Sequence, residues 1–133
     1  MGNASFVIVS HSKKLADGLI QLASQMAGPS VHMVPAAGLG DELGTSATDI
    51  VSAMETCPED GAILLFFDLG SAYMNCQMAL ELSPPAIRDR SWIVDSPLVE
   101  GVIASSVVAS MGLSQEEVIA AAEEAYHIRK VAE

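Results

Sequence analysis

The sequence predicts an α/β protein built on an open parallel sheet of four strands in the order 2-1-3-4, with helices on both faces. Three observations carry that expectation. Short apolar runs near 6–9, 31–34, 62–67 and 92–94 alternate with longer segments of helical periodicity. The run 62–67 is apolar throughout, as a strand covered on both faces must be. The two stretches richest in chemistry, each an apolar run that stops at polar residues, fall at the ends of strands 1 and 3. That order makes these strands neighbours at the point where ligands bind in such sheets.

In the first unit Phe6-Val7-Ile8-Val9 stops at Ser10-His11-Ser12, and Leu15, Leu19, Leu22, Ala23 and Met26 then recur at helical spacing until Gly28-Pro29. The second strand, 31–35, runs into a glycine-rich loop over 36–46. That loop is long against the usual connection of about 4–6 residues, which makes it a candidate lining of a site. Thr45 or Ser46 caps the next helix, with Asp49 three positions after Ser46 and with Ile50, Val51 and Met54 on its buried face. Pro58-Glu59-Asp60-Gly61 turns the chain into the third strand, closed by Asp68-Leu69-Gly70-Ser71. The helix over 71–82 is apolar nearly all round, so one of its faces is expected to meet another subunit. Pro84-Pro85 ends it, and a short strand over 92–94 leads to Asp95. A helix rich in Ala, Ser and Gly follows over 98–111, and Ser114-Gln115-Glu116-Glu117 is a capping box for a last helix through about Arg129.

The chain of 133 residues is read as a single domain, 1–133, large enough to bury roughly two thirds of the surface of its unfolded form. Half of its residues are hydrophobic and its mean hydropathy is +0.38, an excess that a homodimer interface would absorb. No apolar stretch reaches the roughly 18 residues of a membrane span, and the start lacks the pattern of a leader, so a cytoplasmic location without a membrane partner is expected. Six basic against 17 acidic residues give a net charge of −11, which argues against nucleic acid and for partners with basic faces. Cys57 and Cys76 have neither metal-ligand nor redox spacing, and the three histidines are scattered, so no metal site is expected.

The junction at His11 carries the chemistry. A helix that starts there leaves N–H groups unpaired and a partial positive charge, which suit an anion. Lys13 and Lys14 stand in the first turn, where Asp or Glu is the stabilising choice, and they make sense beside an anion. A neutral imidazole can attack phosphorus through one nitrogen while the other donates to an orienting group. Asp68, at the end of the adjacent strand, is placed to be that group. Backbone N–H groups after Ser12, with the hydroxyls of Ser12, Thr45 and Ser71, are the candidate donors to a phosphoryl group. His32, His127 and Glu100 are read as surface residues. No P-loop or other nucleotide fingerprint is present, so no cofactor is assigned and any nucleotide must come with a partner.

The segments IVSHS at 8–12, LGTS at 43–46, LFFDLGSAYMN at 65–75 and DSPLVEG at 95–101 resemble the phosphotransfer subunit of phosphoenolpyruvate-dependent dihydroxyacetone kinase, over nearly the whole chain. That subunit is similar to the mannose-type enzyme IIA of the bacterial sugar phosphotransferase system, a dimeric α/β phosphocarrier. The resemblance implies that His11 takes a phosphoryl group from the carrier protein HPr and that Asp68 orients it. It further implies transfer to ADP held on the nucleotide-binding subunit, which serves the substrate-binding subunit in a phosphoenolpyruvate–glycerone phosphotransferase of glycerol metabolism. The sugar-transport members follow the aspartate with a small-residue motif ending in Ser-Pro, and here residues 70–75 replace it. No carrier-like domain follows in this chain, so separate upstream proteins are expected. Two alternatives stand beside this reading: an enzyme IIA component of a mannose-type sugar permease, and a non-catalytic interaction module for which His11 is incidental.

Overall fold

The computed structural model describes residues 4–132. Strands β1 (Ser5–Ser10), β2 (His32–Ala37), β3 (Ile63–Phe67) and β4 (Ser91–Ile93) form one sheet in the order β2-β1-β3-β4, every pair parallel, as expected. Between and after them lie α1 (Lys13–Ala27), α2 (Ala47–Glu55), α3 (Gly70–Leu82), the single turn α4 (Pro85–Arg88), α5 (Leu98–Ser110) and α6 (Gln115–Glu124). A 3-10 turn over Ala125–His127 follows α6. Pro85 opens α4 at a position where its missing N–H costs nothing. The last helix ends earlier than its periodicity suggests, because the chain tightens into that 3-10 turn.

β1 is buried at every position, and its two faces feed two cores. Phe6 and Ile8 join Leu64 and Phe66 of β3 under α1, α5 and α6, with the Phe6 and Phe66 rings 4.8 Å apart. Val7 and Val9 join Ile63 and Leu65 on the opposite face under Ile50, Ala53 and Met54 of α2 and Ala72, Cys76 and Ala79 of α3. This two-residue alternation is why the central strands read as unbroken apolar runs. Burying side chains of this size contributes about 1.5–3 kcal/mol each before the entropy of ordering them is set against it. Among the described residues no helix is long and apolar enough to cross a membrane.

The small residues of α5 serve close packing inside the protomer. Gly101, Ser105 and Ser106 are buried, with α6 and α1 packed against the helix, and the hydroxyl of Ser105 donates back to the Gly101 carbonyl at 2.6 Å. α3 presents a different surface, where Tyr73, Met74, Met78 and Leu82 are exposed, Met74 by 68%. α3 thus exposes more large apolar side chains than any other helix, and α1 follows with Leu15, Leu22 and Met26.

A Cβ at Gly101 would collide with the Ser96 hydroxyl and come within 2.7 Å of the Ser96 Cβ. Gly101→Ala is expected to destabilise the protein by about 1–3 kcal/mol, the usual cost of overpacking. Urea unfolding measures this, and an unchanged midpoint would show that the α5 contact yields freely.

Candidate active site

Parallel pairing of β1 with β3 sets Val9 opposite Phe67, so the residues just beyond, Ser10-His11 on one strand and Asp68 on the other, emerge side by side at the strand-order reversal. The Asp68 carboxylate accepts four hydrogen bonds. Its Oδ2 takes the His11 backbone N–H and the Ser10 hydroxyl, both at 2.9 Å, while Oδ1 takes the Leu69 N–H at 2.7 Å and faces His11 Nδ1 at 2.9 Å. Desolvation pushes the Asp68 carboxyl up, yet the donations from the His11 backbone, the His11 ring, Ser10 and Leu69 together hold it below its ordinary value. An ionised carboxylate only accepts, so Nδ1 carries the proton and the lone pair of the neutral ring lies on Nε2. Nε2 is 2.7 Å from the Ser71 Oγ, whose hydroxyl then donates to it.

The three candidate hydroxyls are placed differently. Ser71 touches the ring. The Ser12 oxygen caps α1 by accepting from the Leu15 N–H at 3.2 Å. The Thr45 hydroxyl accepts from the Asn75 side chain at 2.6 Å, which ties the loop after β2 to α3. The same loop is fixed to His11 itself, since the Gly44 N–H donates to the His11 carbonyl at 2.8 Å. It exchanges a pair of backbone hydrogen bonds between Leu39 and Glu42, so the long glycine-rich connection is an ordered wall beside the site.

The two helix starts differ as anion sites. α1 is capped by Ser12, and the open cleft of about 400 Å³ beside Lys13 and Lys14 is lined also by Asp17, Asp41 and Glu42. Lys13 pairs with Asp17 at 3.2 Å. α3 starts without a side-chain cap, and Ser71 in its first turn is the residue in contact with Nε2. A phosphoryl group on Nε2 would therefore lie at the open N-terminus of α3, where N–H groups and the helix dipole favour negative charge. Sequence reasoning had placed that donor role at α1.

Ser10 and Asn75 were not among the residues singled out. Ser10 was legible only as the small polar end of an apolar strand, and Asn75 is one polar residue in a helix that reads as apolar. The other residues stay apart from the site. His32 and His127 are exposed, and Glu100 pairs with Lys130 at 2.6 Å. Cys57 and Cys76 are buried free thiols, and burial, with the nearby Asp68 charge second, pushes the Cys76 thiol up to about 12. No cluster of three potential metal ligands occurs among the described residues.

The fold is thus a doubly wound parallel sheet that sets a partly exposed histidine, held by a carboxylate, at its switch point. The chain belongs to the mannose-type enzyme IIA family: the family described as EIIA-man, PTS system fructose IIA component, matches residues 5–119. It is 41% identical over 128 residues to the phosphoryl donor subunit DhaM of the PEP-dependent dihydroxyacetone kinase of Providencia stuartii, across 93% of this chain but 27% of that protein. It is 37% identical over 116 residues to the corresponding subunit of dihydroxyacetone kinase 2 of Listeria innocua, across 86% of this chain and 93% of that protein. The chain thus spans about a quarter of the first relative and nearly all of the second. Among solved structures, the crystal structure of the unknown-function protein EF1359 superimposes with a TM-score of 0.86 at 29% identity, covering 93% of this chain and 95% of that one.

The depressed Asp68 pKa has a stability consequence of definite sign. A carboxyl whose folded pKa lies below its unfolded value contributes stability above the unfolded pKa and loses it as pH falls through the folded one. Thermal unfolding followed from about pH 6 down to about pH 2, across the carboxylate range, should show wild type losing more stability than Asp68→Asn. Equal acid slopes in the two proteins would mean that the four hydrogen bonds leave Asp68 unperturbed.

Proposed function

We propose that the chain is the phosphohistidine carrier of a dihydroxyacetone kinase system. It accepts a phosphoryl group from phospho-HPr on His11 and passes it to ADP bound on the nucleotide-binding subunit, which phosphorylates dihydroxyacetone together with the substrate-binding subunit. The observation that carries this reading is the His11 ring, held through Nδ1 by Asp68 with Nε2 aimed at the start of α3. The names of the relatives, phosphoryl donor subunits of PEP-dependent dihydroxyacetone kinase, support the same assignment.

The chemistry follows from that geometry. Nε2 attacks phosphorus as the bond from phosphorus to the donor's histidine breaks, and the lone pair of Nε2 becomes the new N–P bond. The ring becomes cationic with its proton still on Nδ1, where the Asp68 carboxylate stabilises the charge that develops. The Ser71 hydroxyl occupies the line of attack in the resting site at 2.7 Å from Nε2, so it turns aside and donates to a phosphoryl oxygen instead. Little covalent assistance is needed, because phosphoryl transfer depends chiefly on alignment and on stabilising the equatorial oxygens. In the second step the bond from Nε2 to phosphorus breaks in favour of a terminal phosphate oxygen of ADP, and the neutral ring is regenerated.

The exposed apolar face of α3, with Met74, Met78 and Leu82, supports a homodimer that buries it. Sedimentation at micromolar concentration should give a dimer that Met74→Glu with Met78→Glu weakens, and a wild-type monomer would remove the assembly.

Incubation with phosphoenolpyruvate, enzyme I and HPr should give stoichiometric acid-labile phosphate on the wild type. His11→Gln should give none while keeping the wild-type circular dichroism. Full labelling of that variant would overturn the assignment. A wild type that takes no phosphoryl group at all would leave the interaction module. The family description names a sugar IIA component, so the acceptor decides between the two carrier readings: drainage by the dihydroxyacetone kinase subunits with ADP supports the proposal, and drainage only by a sugar-specific IIB domain replaces it.

A further inference from the structure

Ser10 has no role in the reading above, yet its environment is more constrained than a strand-end serine requires. It is 0% exposed, at the end of the central strand, where a hydroxyl is costly unless it is bonded. Its Oγ accepts the Ser12 N–H at 3.1 Å and donates to the Asp68 Oδ2 at 2.9 Å. The first contact shapes the turn into α1. The second does nothing for the turn, and points at the carboxylate that holds the nucleophile.

We propose that Ser10 is a positioning residue of the phosphohistidine site, its buried hydroxyl anchoring Oδ2 of Asp68 so that Oδ1 stays aligned with Nδ1 of His11. This rests on the phosphocarrier reading for its purpose, though not for its geometry. A carboxylate has two equivalent oxygens and turns about its Cβ–Cγ bond unless each is held. Oδ1 has a fixed donor in the Leu69 N–H and Oδ2 in the His11 N–H, and both of these belong to the backbone at the two strand ends. Among the described residues Ser10 supplies the only side-chain hydroxyl on the carboxylate, and its bond joins β1 to the residue that follows β3. With that anchor removed, Oδ2 keeps only the His11 N–H, so the carboxylate is restrained less tightly and its hold on the Nδ1 proton weakens. The ring is then free to adopt the other neutral tautomer, with the proton on Nε2 donating to Ser71. That form has no lone pair on Nε2 and cannot attack phosphorus.

The test uses Ser10→Ala, and Ser10→Cys as a near-isosteric variant with a much weaker donor, in the full chain. Nitrogen-15 NMR of the His11 ring in the unphosphorylated protein reads the tautomer without any partner, and labelling from phospho-HPr reads the rate. Both variants are expected to move part of the ring population to the Nε2–H form and to slow phosphoryl acceptance roughly tenfold, the scale of losing a group that orients a histidine. A folded variant with the wild-type tautomer would overturn the proposal, whether or not its rate had fallen, since a loss of packing alone slows transfer without moving the proton. Tautomer shifts in the variants of a protein whose wild type takes no phosphoryl group would uphold the hold of Ser10 on the ring and remove the carrier reading instead.

Discussion

The contact between the Asp68 carboxylate and the His11 ring is the constraint on which the rest of the site depends. Each partner follows a different strand, so their 2.9 Å separation exists only because β1 and β3 are adjacent, parallel and paired with Val9 opposite Phe67. A shift of one residue would turn every side chain of β1 to the other face and move the histidine away from the carboxylate. The two apolar cores fix that register, since Phe6 and Ile8 fit under one helical layer and Val7 and Val9 under the other. Core packing and the alignment of His11 with Asp68 are therefore one specification.

The carboxylate also shows how a charge is kept in a partly buried position. Desolvation works against it, and four hydrogen bonds, each to a charged acceptor and so worth about 1.5–3 kcal/mol, offset that cost. Two of the four donors are backbone N–H groups that the strand-to-helix turns release, so the fold supplies them without any special side chain. On the proposed carrier reading the ring is accordingly aligned before a partner arrives, and the start of α3, which has no side-chain cap, leaves N–H groups for a phosphoryl group.

Much of this was legible in the sequence. His11 and Asp68 stand where apolar runs stop, and a doubly wound order brings those ends together, so the pairing followed from pattern and topology. Caps were equally readable: Ser46 accepts from the Asp49 N–H, and Ser114 with Glu117 completes the capping box. What stayed hidden depends on packing partners that composition does not name. The small residues of α5 say only that something approaches closely, and in the structure α6 and α1 pack against that helix within the protomer. Hydropathy reports that a face is covered, never by what. Likewise the sequence does not show that the Ser12 oxygen accepts from the Leu15 N–H and the Thr45 oxygen from Asn75, while Ser71 lies against the His11 ring. Only the three-dimensional arrangement separates a hydroxyl that holds the wall from one that faces the histidine ring.

The central claim is that the fold assigns the two ring nitrogens of His11 different tasks, Nδ1 to Asp68 and Nε2 to phosphorus. Phosphorus–nitrogen correlation NMR on the phosphorylated, nitrogen-15 labelled protein identifies the nitrogen bonded to the phosphoryl group. The account predicts phosphorylation at Nε2, with the proton retained on Nδ1. A phosphoryl group on Nδ1 would contradict it, because the Asp68 carboxylate would then have to leave the position that defines the site.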